Sequence, residues 1–304
     1  MKLEHIKTID STNAEALRRL AAAQNVRALD QTVIAADEQT AGRGRLKRAF
    51  YSPAKTGIYF TAIYAPAEPI DDPARLTACA AVAVCRSLKE FFNVDAKIKW
   101  VNDVYVNGKK VCGILAEGHL GAAFGSEQNS LQGQNGAATL GLASNCGAPG
   151  QSFAPKIVAA AIGIGINIYP SDFPAEIASR AGAVLSKDFS QAQESGRPGS
   201  FGNPNNLSQA QDAGGDVRLD LARDVCQKLF AILDDGARTQ AALQEYADLS
   251  FIVGKEITVI PVIGDESGSY PATVLGIDKN ARLLVRLNNG SERALSCGEI
   301  SIRV

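Results

Sequence analysis

The sequence predicts an α/β (α+β) protein in which a mixed sheet with flanking helices is followed by a small β-barrel of the SH3-like type. Two hydrophobic periodicities alternate through residues 1–250, one of helical spacing and one typical of strands. After Gly254 the chain contains only short strand-like segments separated by turn residues, as expected for a small barrel. A chain of 304 residues is long enough for both units, and we predict domains at 1–250 and 251–304.

The predicted helices rest on apolar spacing and on capping residues. Residues 12–24 have apolar side chains at helical spacing, and Thr12 and Glu15 fit a T-x-x-E capping box. Asp72-Pro73 supplies an N-cap and a first-turn proline, which predicts the start of a second helix. Two further helices are predicted over 217–248.

The predicted strands rest on apolar runs and on one turn. Asn107-Gly108 predicts a tight hairpin between strand-like segments at 104–106 and 111–115. Residues 157–169 form a long apolar run with two glycines, which suits a buried central strand. In the barrel we predict strands at 257–260, 272–276, 283–287 and 300–302.

Two segments differ in composition from the rest of the chain. Residues 120–154 are rich in Gly, Ala, Ser, Gln and Asn, and residues 188–216 are rich in Ser, Gly, Gln, Asn and Pro. Neither could bury enough apolar surface to offset its ordering entropy. We therefore predict that both are insertions in surface loops, which cost little because loop-closure entropy grows slowly with length.

Composition and charge exclude several classes of function. The 31 basic and 32 acidic residues nearly balance, so bulk charge gives no reason to expect nucleic-acid or membrane binding. The first ten residues lack the apolar core of a signal peptide, and the chain has no run of about 18 apolar residues. We therefore expect a cytoplasmic protein without a membrane span.

Cysteine and histidine usage narrows the chemistry further. The cysteines are scattered without a C-x-x-C pair, and the histidines number only two, His5 and His119. This pattern favours free thiols in a reducing compartment and argues against a structural zinc site or a Ser-His-Asp hydrolase. The six cysteines are Cys79, Cys85, Cys112, Cys146, Cys226 and Cys297.

A loop of alternating glycine and arginine is the most informative segment. It reads Gln39-Thr40-Ala41-Gly42-Arg43-Gly44-Arg45 and lies between strand-like runs at 32–36 and 57–65. Glycine lets the backbone approach a ligand, and arginine offers a planar charged fork that matches phosphate or carboxylate. We interpret the segment as an anion-binding loop; the alternative is a solvated surface turn.

Two further clusters join polar side chains to the ends of predicted elements. Asp10-Ser11-Thr12-Asn13 opens the first helix, where plain N-capping is the alternative interpretation. Lys99-Trp100-Val101-Asn102-Asp103 follows a strand. A lysine beside Asn and Asp can hold a phosphate and a metal ion, although Asn-Asp is also common in turns.

Two more clusters lie in strands. The segment from Lys109 to Glu117 places lysines before an apolar strand that contains Gly113; the alternative is a hairpin arm with solvated lysines. Gly163-Ile164-Gly165-Ile166-Asn167 is a G-x-G-x-N run. It is not followed by a helix with the third glycine of a dinucleotide fingerprint, so we reject dinucleotide binding.

In this order and spacing the five clusters closely resemble the biotin protein ligase family, the biotin–acetyl-CoA-carboxylase ligases. The family pattern runs S-T-N, Q-x-A-G-R-G-R, K-W-P-N-D, K-x-x-G-I-L-x-E and G-x-G-x-N. The tail segments 276–279 and 298–303 also resemble the C-terminal barrel of the family. The resemblance implies a class II aminoacyl-tRNA-synthetase-like catalytic domain of the biotin–lipoate ligase type.

Three departures from the family pattern stand out. Val101 replaces the proline of K-W-P-N-D, which removes a backbone constraint but no side-chain chemistry. Phe50 stands where an adenine-stacking tryptophan is often found, and it can still stack with a smaller face. The insertion after Glu117 lies beside the expected site.

The resemblance implies a two-step reaction. The biotin carboxylate attacks the α-phosphate of ATP to give biotinyl-adenylate and pyrophosphate, and a carrier lysine then attacks the acyl carbon and releases AMP. The expected substrates are ATP and biotin, with Mg²⁺ as cofactor. The expected partner is the biotin carboxyl carrier domain of acetyl-CoA carboxylase or a related carboxylase.

The resemblance also assigns roles to residues. Lys110 and Arg45 are the expected catalytic residues, and Asp103 is the expected Mg²⁺ ligand. The expected biotin-binding residues are Ser11, Thr12, Asn13, Gln39, Arg43, Gly44, Arg45, Lys110 and Gly113. The expected ATP- or adenylate-binding residues are Arg43, Arg45, Phe50, Lys99, Asn102, Asp103, Lys110 and Asn167.

Other functions stay open at this point. A lipoate or octanoate protein ligase shares the adenylate chemistry, but its R-R-x-S-G-G-G-type motif is not found. A non-catalytic biotin-binding regulatory protein would be expected to lose the phosphate-handling residues. Because S-T-N begins at Ser11, we expect no winged-helix domain before it and no DNA partner. A homodimer is left open.

Overall fold

The computed structural model describes residues 1–70, 74–121, 140–141, 156–185, 216–260, 268–296 and 298–302. Its helices are α1 (Thr12–Ala22), α2 (Ala74–Phe92), α3 (Ala175–Ala178), α4 (Val217–Leu233) and α5 (Gly236–Asp248), with 3-10 turns at Val26–Leu29 and Arg45–Lys47. Its first eight strands are β1 (Lys2–Ile9), β2 (Thr32–Gln39), β3 (Gly57–Tyr64), β4 (Lys97–Lys99), β5 (Asp103–Val106), β6 (Lys109–Leu120), β7 (Leu140–Gly141) and β8 (Ile157–Asn167). The remaining strands are β9 (Glu256–Ile260), β10 (Tyr270–Ile277), β11 (Leu283–Leu287), β12 (Glu292–Leu295) and β13 (Glu299–Ile302).

The larger sheet is mixed, as the sequence predicts. Its strand order is β1-β2-β3-β8-β6-β5-β4, and β7 pairs with β6 outside this path. Strands β1 and β2 run parallel, and the other neighbours run antiparallel. The apolar run predicted as a central strand is β8, which pairs with β3 on one side and β6 on the other. The prediction of an α/β fold with a mixed sheet is therefore confirmed.

The two faces of this sheet have different coverings. On one face, alternate residues of β8 such as Ile162, Ile164 and Ile166 belong to a large core that includes α2, α4 and α5. On the opposite face, Ala16 and Leu20 of α1 form a smaller core with alanines and isoleucines of β2, β3 and β8. Helix α1 covers only part of this face, and the functional site occupies the rest.

The first helix begins one residue earlier than its capping box implies. Ser11 is the N-cap, and its hydroxyl accepts a hydrogen bond from the amide of Ala14 at 3.4 Å. Thr12 is already helical and its hydroxyl bonds Gln39 instead, while Glu15 pairs with Arg18 and Arg19. The predicted capping box was therefore wrong, because Gln39 takes the Thr12 hydroxyl and arginines of the same helix take the Glu15 carboxylate.

Local turn chemistry was predicted well. Asn107 and Gly108 have φ values of 50° and 74°, which both central positions of a type I′ hairpin turn require. They join β5 to β6 as predicted. The predicted start of the second helix, Asp72-Pro73, lies outside the described residues, where α2 is followed only from Ala74. Almost all of the two predicted insertions also lies outside them.

The smaller sheet is antiparallel and has the order β12-β11-β10-β9-β13. The four strands predicted there are confirmed, but β12 was missed because its side chains are mostly exposed and give no apolar alternation. The N-terminal β1 was missed for the same reason. Trp100 anchors the two sheets to each other, since its indole Nε1 donates to the carbonyl of Ala281 at 2.9 Å.

The described cysteines agree with the expectation of free thiols. Cys85, Cys112 and Cys226 are buried free thiols, and Cys79 is buried as well. Burial raises the pKa of the Cys85 thiol to about 12. Cys146 and Cys297 lie outside the described residues. Across the described part of the chain, no helix is long and apolar enough to cross a membrane.

Candidate functional site

One cavity of about 420 Å³ lies on the face of the large sheet that α1 leaves open. All of the site residues predicted from the sequence line it. They are Ser11, Thr12, Asn13, Gln39, Arg43, Gly44, Arg45, Phe50, Lys99, Asn102, Asp103, Lys110, Gly113 and Asn167. Residues of β9 and β13 line it as well, so both sheets contribute to the cavity.

One end of the cavity is a buried network of neutral hydrogen bonds. Gln39 Oε1 accepts from both the amide and the hydroxyl of Thr12, at 2.9 and 3.1 Å. Gln39 Nε2 donates to the hydroxyl of Ser52 at 3.0 Å. Thr61 lies beneath, with its hydroxyl 2.9 Å from that of Thr12. Thr61 and Ser52 were not predicted as site residues, because each acts through another side chain.

Asn13 is held in one orientation by three partners. Its Nδ2 donates to the Leu115 carbonyl at 3.2 Å and to Glu117 Oε2 at 2.8 Å, and its Oδ1 lies 2.8 Å from the Thr61 hydroxyl. Both amide hydrogens are therefore used within the protein, and only Oδ1 can serve a ligand. A side chain at Gly163 would collide with Asn13 Oδ1, which explains that glycine.

The Gly/Arg loop forms a closed hairpin in this structure. The amide of Phe50 donates to the Gly42 carbonyl at 2.9 Å, and the amide of Gly44 donates to the Arg48 carbonyl at 2.8 Å. Arg45 reaches the Asn102 side chain at 3.3 Å and the Gly298 carbonyl at 2.9 Å. The loop is therefore fastened to the large sheet and to the segment between β12 and β13.

The ring of Phe50 packs directly on bare strand backbone. A side chain added at Gly165 would collide with the ring, and one at Gly113 would place its Cβ 2.9 Å from Phe50 Cε2. The edge of the ring meets Tyr59 at a centroid distance of 6.3 Å. These two glycines are therefore required for close packing, as the predicted pocket wall at Gly113 implies.

The other end of the cavity is cationic. Lys110 Nζ lies 2.6 Å from Asp103 Oδ1. The contact is electrostatic, because Asp103 Oδ1 has no aligned hydrogen-bond donor. Among the described lining residues, Asp103 is the only carboxylate. The cationic lining side chains are Arg43, Arg45, Arg48, Lys99, Lys110 and Arg180. Such an excess of positive charge suits a polyanion.

A β-bulge directs Lys110 into this end of the cavity. Val104 pairs with Cys112 whereas Tyr105 pairs with Lys110, so Val111 is an extra residue in β6. The extra residue reverses the alternation, and Lys110 therefore faces the same side as Gly113. Backbone bonds to Arg180 and Gly182 hold Lys110 in place. The Lys110 amide donates to the Arg180 carbonyl, and its carbonyl accepts from the Gly182 amide, each at 2.8 Å.

Two asparagines at the cationic end are oriented by backbone groups. Asn102 Nδ2 donates to the Ile114 carbonyl at 2.9 Å, and this leaves its Oδ1 to accept from Arg45. Asn167 Nδ2 donates to the Gly182 carbonyl at 3.1 Å. Tyr105 also lines this end, and burial raises the pKa of its hydroxyl to about 12, so it stays protonated at neutral pH.

Several lining or supporting residues were not selected from the sequence. Arg48, Tyr105 and Arg180 line the cavity, and nothing in their local sequence distinguishes them from ordinary surface residues. Glu117 was noted only as the end of a motif. It is 4% exposed and bonds Asn13 and Arg43, and it shares the face of Gly113 and Leu115 through strand alternation. Because Glu117 shares a strand face with the predicted site residue Gly113, strand alternation could have identified it as a site residue.

The donor set limits how Mg²⁺ could be held. In the described portion of the chain, no group of three or more His, Cys, Asp or Glu side chains could hold a metal ion. Mg²⁺ is commonly bound through one or two carboxylates together with substrate phosphates. The single carboxylate Asp103 therefore fits Mg²⁺ that arrives with a polyphosphate, and does not fit a resident metal.

A polar buried pocket joined to a cation-rich mouth defines a site for a neutral polar group next to an anionic one. The family model that matches residues 6–124 is the Biotin/lipoate A/B protein ligase family. The resemblance to biotin protein ligases that the motifs indicate is thereby confirmed.

Individual relatives agree with this assignment. The chain is 33% identical over 153 residues to the bifunctional ligase/repressor BirA of Bacillus subtilis, a match that covers 50% of this chain and 38% of the relative. It is 33% identical over 120 residues to a biotin–[acetyl-CoA-carboxylase] ligase of Mycobacterium tuberculosis, covering 38% of this chain and 44% of the relative. The matches thus span less than half the length of these relatives.

Solved structures share the fold over nearly the whole chain. The biotin protein ligase from Aquifex aeolicus in complex with biotin and ATP has a TM-score of 0.64 at 21% identity, covering 99% of this chain and 98% of that one. The biotin protein ligase from Leishmania major in complex with biotin has a TM-score of 0.54 at 19% identity, covering 97% and 98%. The likeness therefore extends beyond the region that the family model matches.

Proposed function

We propose that the protein is an ATP-dependent ligase that activates biotin as biotinyl-5′-AMP and transfers it to a lysine of a biotin carboxyl carrier protein. The observation that carries the proposal is a cavity in which a neutral hydrogen-bonding end adjoins a cationic end. Relatives named as biotin–[acetyl-CoA-carboxylase] ligases support the same reaction.

The neutral end fits the ureido ring of biotin. That ring offers N–H donors and one carbonyl acceptor. Asn13 Oδ1 keeps a second lone pair beside its bond from Thr61 and can accept from an N–H, whereas both amide hydrogens of Asn13 are already used. The Ser11 hydroxyl accepts from the Ala14 amide and keeps its own proton to donate to the ureido carbonyl. Gln39 holds Thr12 beside the ring.

The cationic end fits the activation step. A biotin carboxylate oxygen attacks the α-phosphorus of ATP, and the bond from that phosphorus to the pyrophosphate oxygen breaks. Two anions must meet, and fixed cations lower that repulsion. Lys110 has three N–H donors, so it can keep Asp103 and still bind carboxylate and α-phosphate oxygens. Lys99 and Arg45 face the remaining phosphates.

Mg²⁺, when bound with ATP, would neutralise charge on the leaving pyrophosphate. Asp103 is the residue that would hold it, with the amide oxygen of Asn102 nearby as a second oxygen ligand. Without the ion, the Asp103 carboxylate forms an ion pair with Lys110. The remaining ligands of the ion would come from phosphate and water, as is usual for Mg²⁺.

The second step needs an intermediate that stays bound. The ε-amine of the carrier lysine attacks the acyl carbon, the bond from that carbon to the AMP phosphate oxygen breaks, and the amine loses a proton. An acyl-adenylate that escapes is hydrolysed or acylates other lysines. The Gly/Arg loop closes over the cavity through Arg43 and Arg45, which suits it to retain the adenylate and exclude water.

Lipoate or octanoate is the competing substrate, since the matched family includes both kinds of ligase. The neutral end of the cavity argues for biotin. A dithiolane ring or an alkyl chain offers nothing to Ser11 or Asn13, which are 2% and 4% exposed. A site that leaves buried polar groups unpaired discriminates strongly against such a ligand.

The same proposal covers the fold type of each domain, the cellular location, the partner and the oligomeric state. The five antiparallel strands 256–302 form an SH3-like barrel, and the larger unit has the class II aminoacyl-tRNA-synthetase-like fold, with the boundary near residue 250. The five short strands are consecutive in sequence and wholly antiparallel, with β9 between β10 and β13, which supports the barrel assignment. We further propose a cytoplasmic protein that acts on a carboxylase carrier domain without DNA and that can form a homodimer.

The test is mass spectrometry of an intact apo biotin carrier domain after incubation with the protein, biotin and MgATP. The expected result is the gain of one biotinyl group that is absent without ATP. Lipoic acid in a parallel tube separates the alternatives, because a gain with lipoate alone would move the assignment to lipoate ligases. Biotin binding without any adenylate would identify a non-catalytic biotin-binding protein and contradict the proposal.

A further inference from the structure

Glu117 is a buried carboxylate that touches neither end of the cavity directly. It lies in β6 with 5% of its side chain exposed, behind the residues that line the cavity. Its two oxygens bond different parts of the site, Oε2 accepting from Asn13 Nδ2 at 2.8 Å and Oε1 from Arg43 Nη2 at 3.1 Å. Glu117 therefore joins helix α1 to the Gly/Arg loop.

We propose that Glu117 is a positioning residue that couples the pocket for the ureido ring to closure of the Gly/Arg loop. This inference rests on the proposed function and deepens it. Through one oxygen Glu117 fixes the orientation of Asn13, and through the other it holds Arg43 of the loop hairpin. Filling of the pocket and closure of the loop then depend on the same carboxylate.

Charge explains why the coupling is strong. A buried carboxylate is costly unless it is paired, and among the described side chains Arg43 is the only ion-pair partner of Glu117. If the loop opens, Arg43 moves away and the Glu117 carboxylate keeps only its hydrogen bond from the Asn13 amide. The closed loop is therefore favoured by the charge that Glu117 carries.

Geometry explains why the coupling reaches the ligand. The Asn13 amide donates one hydrogen to Glu117 and the other to the Leu115 carbonyl. Its Oδ1 is therefore directed towards Thr61 and the cavity. Without Glu117 the amide is free to turn over and to present Nδ2, which repels the N–H groups of a ureido ring. Loss of Glu117 should thus weaken biotin binding as well as loop closure.

The test compares Glu117→Gln with Arg43→Ala and with the double variant. Glutamine has the same size but no charge, and its one carbonyl oxygen can accept from only one of the two partners. We expect the KM for biotin to rise about tenfold in Glu117→Gln, since bonds to a charged group are lost, with a smaller change in kcat. Free biotinyl-adenylate should appear in solution.

Non-additivity separates positioning from general damage. If Glu117 acts through Arg43, the double variant releases no more free adenylate than Arg43→Ala alone. The matched control is Glu245→Gln, which breaks the half-buried ion pair with Arg86 on the far side of the sheet and should leave both measurements unchanged. Additive release in the double variant would overturn the inference.

A second measurement does not depend on activity. Hydrogen exchange of the Gly44 and Phe50 amides reports the loop hairpin in the ligand-free protein. These amides should exchange faster in Glu117→Gln than in wild type or in Glu245→Gln. Unchanged exchange would overturn the coupling even if the wild type is a fully active biotin ligase. Wild-type protein that forms no adenylate would instead refute the proposed function.

Discussion

The two ends of the cavity are built in opposite ways. At the neutral end, Ser11, Thr12 and Asn13 are 2%, 3% and 4% exposed, and their polar groups are tied to one another and to neighbouring strands. At the cationic end, the side chains of Lys110 and Asp103 are 29% and 20% exposed and pair only electrostatically. The hydrogen bonds of the neutral end are formed without a ligand. The cationic end carries an excess of positive charge that a bound anion would neutralise.

The two ends of the cavity therefore select their ligands by different means. Buried and satisfied hydrogen bonds fix positions within a fraction of an ångström, so the neutral end selects its ligand by shape and by matched donors and acceptors. Exposed charges are mobile and screened, so the cationic end attracts and stabilises anions in several arrangements. Variants at the two ends should therefore fail in different measurements.

The largest effect is expected for Lys110→Ala. The ammonium that meets both reacting anions is lost, so adenylate formation should fall by about a thousandfold while biotin binding is largely kept. Pyrophosphate release measures the rate. The control is Lys109→Ala, the neighbouring lysine whose Nζ reaches the Ser179 carbonyl. Wild-type adenylation in Lys110→Ala would remove this lysine from the mechanism.

A smaller loss of rate but a clear loss of retention is expected for Arg45→Ala. The variant loses the bonds to Asn102 and to the Gly298 carbonyl that fasten the loop, so adenylate should escape and label lysines at random. Biotin blotting of an unrelated acceptor protein detects this. Arg286→Ala, which removes an exposed ion pair in β11, is the control. Labelling confined to the carrier domain would count against the retention role.

At the neutral end, Thr61→Val should weaken biotin binding about tenfold and leave ATP binding unchanged. Valine has the same shape but cannot donate to Thr12 or Asn13, which lose a buried partner. Calorimetric titration with each ligand separately gives both affinities. Thr77→Val, a buried threonine of α2 on the other face of the sheet, is the control. Equal weakening of both ligands would mean that the two ends are not independent.

The smallest effect is expected from salt alone. Raising the ionic strength from about 0.05 M to about 0.5 M should weaken ATP binding several-fold, because exposed charges are screened. Biotin binding to the ligand-free protein should change less, since the ureido ring meets buried neutral partners and only the carboxylate meets a cation. Titrations of both ligands across this range test the contrast directly. A parallel loss of both affinities would show that charge also governs the neutral end.

Much of the molecule could be predicted from short stretches of sequence. The Asn107-Gly108 turn, the long strand β8 and the paired helices after residue 216 follow from local propensity and apolar spacing. Every residue that was predicted as a site residue lines the cavity. Motifs identify this site because the ligand needs several specific side chains, and each of them lies in its own recognisable segment of sequence.

Other features depend on partners far away in the chain. Strand β1 has little apolar alternation and forms through parallel pairing with β2, and β12 is held by β11. Ser11 replaces Thr12 as the helix cap because Gln39 and Thr61 take the Thr12 hydroxyl. Sequence spacing alone contains no information about which of two adjacent hydroxyls a distant strand will take.

Local sequence specifies the class of fold, the loop that carries glycine and arginine, and the residue types of the site. Tertiary structure decided how they act together. A bulge at Val111 turns Lys110 towards the cavity, and the Gly298 carbonyl of the smaller sheet receives Arg45. Burial gives Glu117 two partners that are distant in sequence. The reason is physical, since alternation and composition are local properties whereas burial, register and charge pairing arise only when distant segments meet.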